Sequence, residues 1–152
     1  MPVQIRPVAS RRDLTSFIRL PFRLRAGDPQ WVPPLLFERR AFLDKRRNPW
    51  FEHAEAEYLM AERDGEVVGR ITAHVDYRWD EYQGGNDGMF GFFDCEDDPE
   101  VARALVDSAC EWVAGKGRDR ILGPMDFTLN DECGLLIEGY DEPSMILEPW
   151  HP

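Results

Sequence analysis

The stretch GMFGFFDCEDDPEVARALVDSACEWVAGKGRDRILGP, residues 88–124, decides the fold of this chain. Met89 to Phe93 is short, aromatic and apolar, as a central strand is. Asp98 is placed to cap a helix, Pro99 suits the first helical position, and Glu100 complements the helix dipole. Val101, Leu105, Ala109 and Trp112 form one apolar stripe, with Ala102, Val106, Cys110 and Val113 beside it, so the helix packs on a sheet. Gly115 or Gly117 ends it. Ile121 and Leu122 begin a second strand, stopped by Gly123-Pro124. The unit is strand, acidic turn, helix, strand. Such units bind ligands where the strand hands over to the helix. Here that place holds Asp94, Glu96, Asp97 and Asp98 and no glycine-rich loop.

Upstream, Val3 to Val8 reads as a short edge strand stopping near Pro7. Ser10 is the expected N-cap of a helix carrying Leu14, Phe17, Ile18 and Leu20, with Pro21 as its expected end. Residues 21–34 are rich in Pro and Gly and read as a surface loop. Leu35 to Leu43 forms a short helix. Asp64-Gly65 supplies the positive φ values of a tight turn between Glu57–Glu62 and Val67–Val75, which makes a hairpin. In its second strand Val67, Ile71, Ala73 and Val75 share one, drier face with Gly69. Val68, Arg70, Thr72, His74 and Asp76 share the other. Asp80 to Gly88 is a loop by composition.

The 152 residues suffice for one domain with a core. No apolar run approaches the ~18 residues of a membrane span, so no membrane partner is expected. Three widely spaced cysteines, Cys95, Cys110 and Cys133, fit reduced thiols in a cytoplasm better than a disulfide framework or a zinc site. The net charge of -11 is uneven. Residues 1–50 carry 11 Lys and Arg against 4 Asp and Glu; the remainder carries 7 against 25. The two parts are expected to complement one another in the folded state. Nucleic acid is disfavoured as a partner, because an acidic body repels phosphate.

The order of elements resembles the GNAT superfamily of acyl-CoA N-acyltransferases. IRPVASRRDL (5–14) resembles that fold's first strand and helix, residues 56–75 its second and third strands, and residues 92–124 its fourth strand, cofactor helix and fifth strand. DPQWVPPL (28–35), NPWFEHAEAEYL (48–59), GFFDCEDDPEVARAL (91–105) and GPMDFTLNDECGLLIEGYDEP (123–143) are similar to the N-terminal part of a bacterial GNAT-like family of unassigned substrate. The resemblance implies an α/β (α+β) fold, with a mixed, largely antiparallel sheet flanked by helices. It implies a single domain over 1–152 whose C-terminal elements are missing. The strand edge left open would take a second copy of the chain or a C-terminal extension as its partner.

The same resemblance implies transfer of an acyl group from acetyl-CoA or another acyl-CoA to a small-molecule or peptide amine. A non-catalytic binding half of a longer protein is the alternative. By position, the backbone amides of Phe92, Phe93 or Asp94 serve the oxyanion. Glu132 or Asp131 is the general base, Asn130 orients the substrate, and Tyr140 is the general acid. Each residue also has a plainer reading: Asn130 to Gly134 as an Asx turn, Tyr140 as core. His74 reads as a base or as a hydrogen-bonded structural histidine, while His53 and His151 carry no signal. No metal site is expected, since the acidic turn lacks the spacing of a calcium loop. The sequence departs from the superfamily at one place. A Gln/Arg-x-x-Gly-x-Gly/Ala loop ordinarily cradles the CoA pyrophosphate, and here Asp94–Glu100 offers carboxylates and a proline instead.

Overall fold

A computed structural model describes residues 1–150; His151 lies outside the described residues. Among the described residues, five strands and four α-helices follow one another as β1 (Gln4–Pro7), α1 (Arg11–Leu24), α2 (Leu36–Phe42), a 3-10 turn (Pro49–Glu52), β2 (Ala54–Arg63), β3 (Glu66–Asp76), α3 (Tyr77–Gln83), β4 (Asp87–Cys95), α4 (Pro99–Gly115) and β5 (Arg120–Leu122). The strands lie in the order β1-β2-β3-β4-β5. All neighbours are antiparallel except β4 and β5, which are parallel across α4. This is the mixed, mostly antiparallel sheet that the resemblance implies.

The expected caps form. Ser10 and Asp13 make a reciprocal capping box at α1. Asp98 caps α4 ahead of Pro99. Asp64 and Gly65, at φ 54° and 82°, close the β2–β3 hairpin.

Four expectations are corrected. Helix α1 does not end at Pro21 but runs through it to Leu24. Proline removes the hydrogen bond to the carbonyl four residues earlier, and Arg70 Nη1 supplies that bond to the Phe17 oxygen at 2.9 Å. The stretch from Asp80 is not all loop, since α3 extends to Gln83. Asp76 caps its start and Gly84, left-handed at φ 67°, ends it. Strand β3 has no single dry face. Thr72 and His74 are fully buried and Arg70 nearly so, because α4 covers one side of the sheet and α1 with the rings of Trp50 and Phe127 covers the other. Val67 does not share a face with Ile71. The register shifts between Ala61–Gly69 and Glu62–Val67, leaving Val68 as an extra residue that turns Val67 to the opposite side.

Two cores result. One packs α4, through Val101, Leu105, Ala109 and Val113, on Leu59, Val68, Ile71 and Ala73. Gly69 and Gly88 allow that approach, since a methyl group at either would meet α4 side chains at 2.7 Å and 2.5 Å. The other is aromatic, with Phe17, Trp50, Tyr58, Phe92 and Phe127 beneath α1 and α2. The charge asymmetry of the sequence is spent internally: Arg6 pairs with Glu62, Arg23 with Glu96, Arg25 with Asp94, and Arg39 with Glu132.

Candidate active site

Strand β4 breaks at Phe92. Its pairing with β3 shifts between Arg70–Asp94 and Thr72–Gly91, and Phe92 takes φ 48°, an uncommon conformation for an aromatic residue. The Phe92 amide therefore leaves the ladder and donates to Asp126 Oδ1 at 2.7 Å. Asp126 arrives on the segment after β5. Met125 N donates to the Phe90 oxygen at 2.8 Å, and Asp126 N to the Glu132 oxygen at 2.7 Å. Phe127, itself at φ 79°, anchors the segment. Its ring stacks on Trp50 at 4.2 Å and on Phe42 at 5.0 Å.

Asp126 is buried, and its carboxyl is pushed up to about 6. Burial is the main cause. The Phe92 amide and the charges of Arg39 and Arg70 oppose it without cancelling it. Arg39 Nη1 stands 3.9 Å from Asp126 Oδ2, while its other nitrogen holds Glu132. Burial disfavours the Arg39 charge, and Asp126 is its leading support.

Asp126, Arg39, Arg70 and Glu132 floor a cleft of about 370 Å³. The rest of its lining is mixed: Ile18, Trp31, Val32, Leu147 and Trp150 are apolar, while Glu38, Ser144 and Glu148 add polar groups. At its rim Val32, Leu35, Met145 and Ile146 are exposed, an unusual concentration of apolar surface.

Beside the cleft lies a buried ion network. Asp94 accepts from Arg25 at 2.6 Å and from Arg70 at 3.0 Å. The Arg70 guanidinium also lies over the rings of Phe17 and Phe92.

The residues singled out in the sequence fall as follows. The Phe92 amide is engaged by Asp126. Phe93 is half-buried, with its ring edge-on to Phe90. Glu132 lines the cleft, while Asp131 lies just outside it, accepting from Thr128 Oγ1 at 2.7 Å. The Asn130 amide donates to the same hydroxyl at 3.1 Å, and Asn130 is exposed. Tyr140 is neither core nor part of this cleft's lining. It is 45% exposed and donates to the Leu136 oxygen. His74 is buried against Trp50 and Phe127 and driven down to about 3, chiefly by burial. His53 Nδ1 meets Asp76 Oδ1 at 2.8 Å.

Sequence reasoning missed Asp126 and Arg39. Asp126 stands within an apolar run, Pro124-Met125-Asp126-Phe127, and a carboxylate isolated in such a run was the available signal. Arg39 sits 87 positions away in sequence, on α2.

The turn before α4 lines a second cleft of about 680 Å³. Three of its four carboxylates are paired: Asp94 as above, Glu96 with Arg23, and Asp98 with Arg63. Among the described residues no group of three or more His, Cys, Asp or Glu side chains is placed to hold a metal ion. No helix among them is long and apolar enough to cross a membrane.

No family model matches the chain. It is 42% identical over 142 residues to the bacterial ceramide synthase of Caulobacter vibrioides, covering 93% of this chain and 37% of that protein. It is 38% identical over 151 residues to the protein YghO of Escherichia coli K12, covering 97% and 38%. The chain thus spans a little over a third of the length of these curated relatives. Among solved structures it superposes on a ribosomal-protein-alanine N-acetyltransferase of Brucella melitensis biovar Abortus, with TM-score 0.56 and 19% identity over 82% of this chain and 80% of that one. A tandem GNAT protein of the clavulanic acid pathway matches with TM-score 0.55 and 15% identity, over 76% of this chain and 34% of that one. The fold is GNAT-like, the fold of these acetyltransferases.

Proposed function

We propose that the chain is the acceptor-binding unit of an N-acyltransferase, taking a long-chain amine into the cleft above Asp126 for acylation. The observation that carries this reading is the buried Asp126 carboxyl, with its raised pKa, lining a cleft that also presents Ile18, Trp31, Val32, Leu147 and Trp150. An amine must lose a proton before it attacks an acyl group, and a carboxylate titrating near 6 is well matched to receive it at neutral pH. Glu132, held by Arg39, supplies a second carboxylate for an ammonium head. These apolar side chains and the apolar rim suit an alkyl chain, each buried methylene contributing about 0.8 kcal/mol.

The 42% identity to a ceramide synthase supports the same direction, since a ceramide is the amide of a long-chain amino alcohol. In this reading Asp126 takes the general-base role expected of Glu132 or Asp131, and Glu132 is a second acidic group at the amine. Asp131 and Asn130 shape the turn that presents it. A non-catalytic binding half remains the second reading, favoured by the engagement of the Phe92 amide within the chain.

Acyl-CoA is the donor the fold family implies, and the chain's residues do not fit it in the expected seat. The Phe92 amide is taken, and the start of α4 offers no free cradle for phosphate. The reading is tested by calorimetry with dodecylamine, butylamine and N-acetyldodecylamine. Dodecylamine is expected to bind, and the other two at least ~10-fold more weakly, following lost methylenes and lost charge. Equal affinity for all three, or no binding of dodecylamine, overturns it.

A further inference from the structure

We infer that the donor seat on β4 is filled by the chain's own segment Gly123–Phe127, so that any acyl donor this protein uses is held at a different surface. The inference rests on the acyl-transfer reading only for the identity of the donor. It stands on geometry at both ends of the expected ligand.

At the acyl end, the amide that would meet a carbonyl oxygen already meets one of the Asp126 carboxylate oxygens, 2.7 Å away and out of solvent. A charge-assisted bond of this kind is not yielded to a neutral carbonyl. The strand edge is closed at Phe90 and Gly91 as well. Met125 N bonds the Phe90 oxygen, and a methyl group on Gly91 would fall 1.9 Å from the Met125 oxygen. No ligand atom fits between two backbones that close. Nor is the segment a loose flap. The Phe127 ring is buried between Trp50 and Phe42. Met125 bridges Cys133, and Asp126 N is tied to the Glu132 oxygen.

At the phosphate end, the amides of the first turn of α4 are spoken for. Pro99 has none, the Glu100 amide goes to Asp98 Oδ1 at 2.9 Å, and the Ala102 amide to the Asp98 oxygen at 3.0 Å. The Val101 amide also supports the Asp98 carboxylate. Asp97, the one carboxylate of the turn without an arginine partner among the described residues, adds negative charge beside this helix start.

Titration of the ¹⁵N-labelled chain with millimolar acetyl-CoA, followed amide by amide, tests this. The amides of Gly91 to Cys95 and of Glu100 to Ala102 are expected to stay in place. The Asp126→Ala variant, without ligand, is expected to move the Phe92 amide strongly upfield in proton shift as its charged partner is lost. Asp126→Asn, which keeps an acceptor oxygen, is expected to move it less. Saturable CoA-dependent shifts at Phe92 together with Glu100–Ala102 would overturn the inference. So would a Phe92 amide indifferent to both substitutions. The two readings fail separately: silence of dodecylamine sinks the acceptor cleft and leaves the closed seat standing, whereas CoA shifts on β4 do the reverse.

Discussion

Arg70 donates to the carbonyl oxygen of Phe17 at 2.9 Å, filling the place of the amide that Pro21 lacks. One guanidinium thereby repairs a helix, binds Asp94 and floors the cleft. Arg70→Met removes the repair and leaves Asp94 with Arg25 alone. Breaking a buried pair costs about 3–5 kcal/mol, and the surviving Arg25 bond sets the expectation at about 3 kcal/mol by the same reasoning. Pro21→Ala restores an amide for Phe17, so it should recover about 1 kcal/mol in the Arg70→Met background and less in the wild type. Urea denaturation of the four proteins checks this. Additive effects would show that Arg70 and Pro21 are not coupled.

Gly91 faces the Met125 backbone, and a methyl group there would lie 1.9 Å from a carbonyl oxygen. Backbone cannot step aside as a flexible side chain can. Gly91→Ala should therefore cost at least the about 1–3 kcal/mol typical of overpacking. Gly115→Ala, at a position with nothing within 4 Å, should be neutral or stabilising. Thermal unfolding of the two variants distinguishes them. Equal midpoints would mean that Met125 does not lie against β4.

Asp126 and His74 make opposite contributions to the pH dependence of stability. Burial raises Asp126 from 3.8 to about 6, so between those values the folded state holds one extra proton and stability falls as pH rises. Burial lowers His74 from 6.5 to about 3, so the folded state holds one proton fewer and stability rises with pH. From about pH 4 to 6 the two slopes cancel. Asp126→Asn should expose the histidine slope, losing roughly 1.4 kcal/mol per unit as pH falls from 6 to 4. The same variant should exceed the wild type by about 3 kcal/mol above pH 7, where the wild type carries a buried charge. His74→Phe should show the reverse slope. Denaturation at half-unit pH intervals checks both signs, and parallel profiles for the three proteins would contradict them.

The fold was legible because its decisive signals are local. Asp98-Pro99 starts α4, Asp64-Gly65 turns the hairpin, and Ser10 with Asp13 opens α1. The errors fall where distant residues overrule local preference. Pro21 reads as a stop until Arg70, 49 positions away, supplies the missing bond. His74 and Thr72 read as a polar face until helices cover them. The site was legible in its neighbourhood but not in its centre. Glu132 does line the cleft. Asp126 acquires its character only from burial against Phe92, which no spacing in the sequence announces. Of the four carboxylates before α4, Asp98 is the cap that the sequence suggests, its side chain accepting from the Glu100 amide. Two of their arginine partners, Arg23 and Arg25, come from the basic first third, where the charge asymmetry pointed, while Arg63 and Arg70 come from the hairpin strands.

The most direct test of the acyl-transfer reading is amide formation itself. An acyl thioester and alkylamines of increasing length are presented to the protein and to its Asp126→Asn variant, with the N-acyl product measured by mass spectrometry across pH 5–9. Product is expected from the long-chain amines, with a rate that rises through a single ionisation near pH 6 and a loss of about 10²–10⁴-fold in the variant. Product formed at the same rate by Asp126→Asn, or no product from any amine, would contradict it.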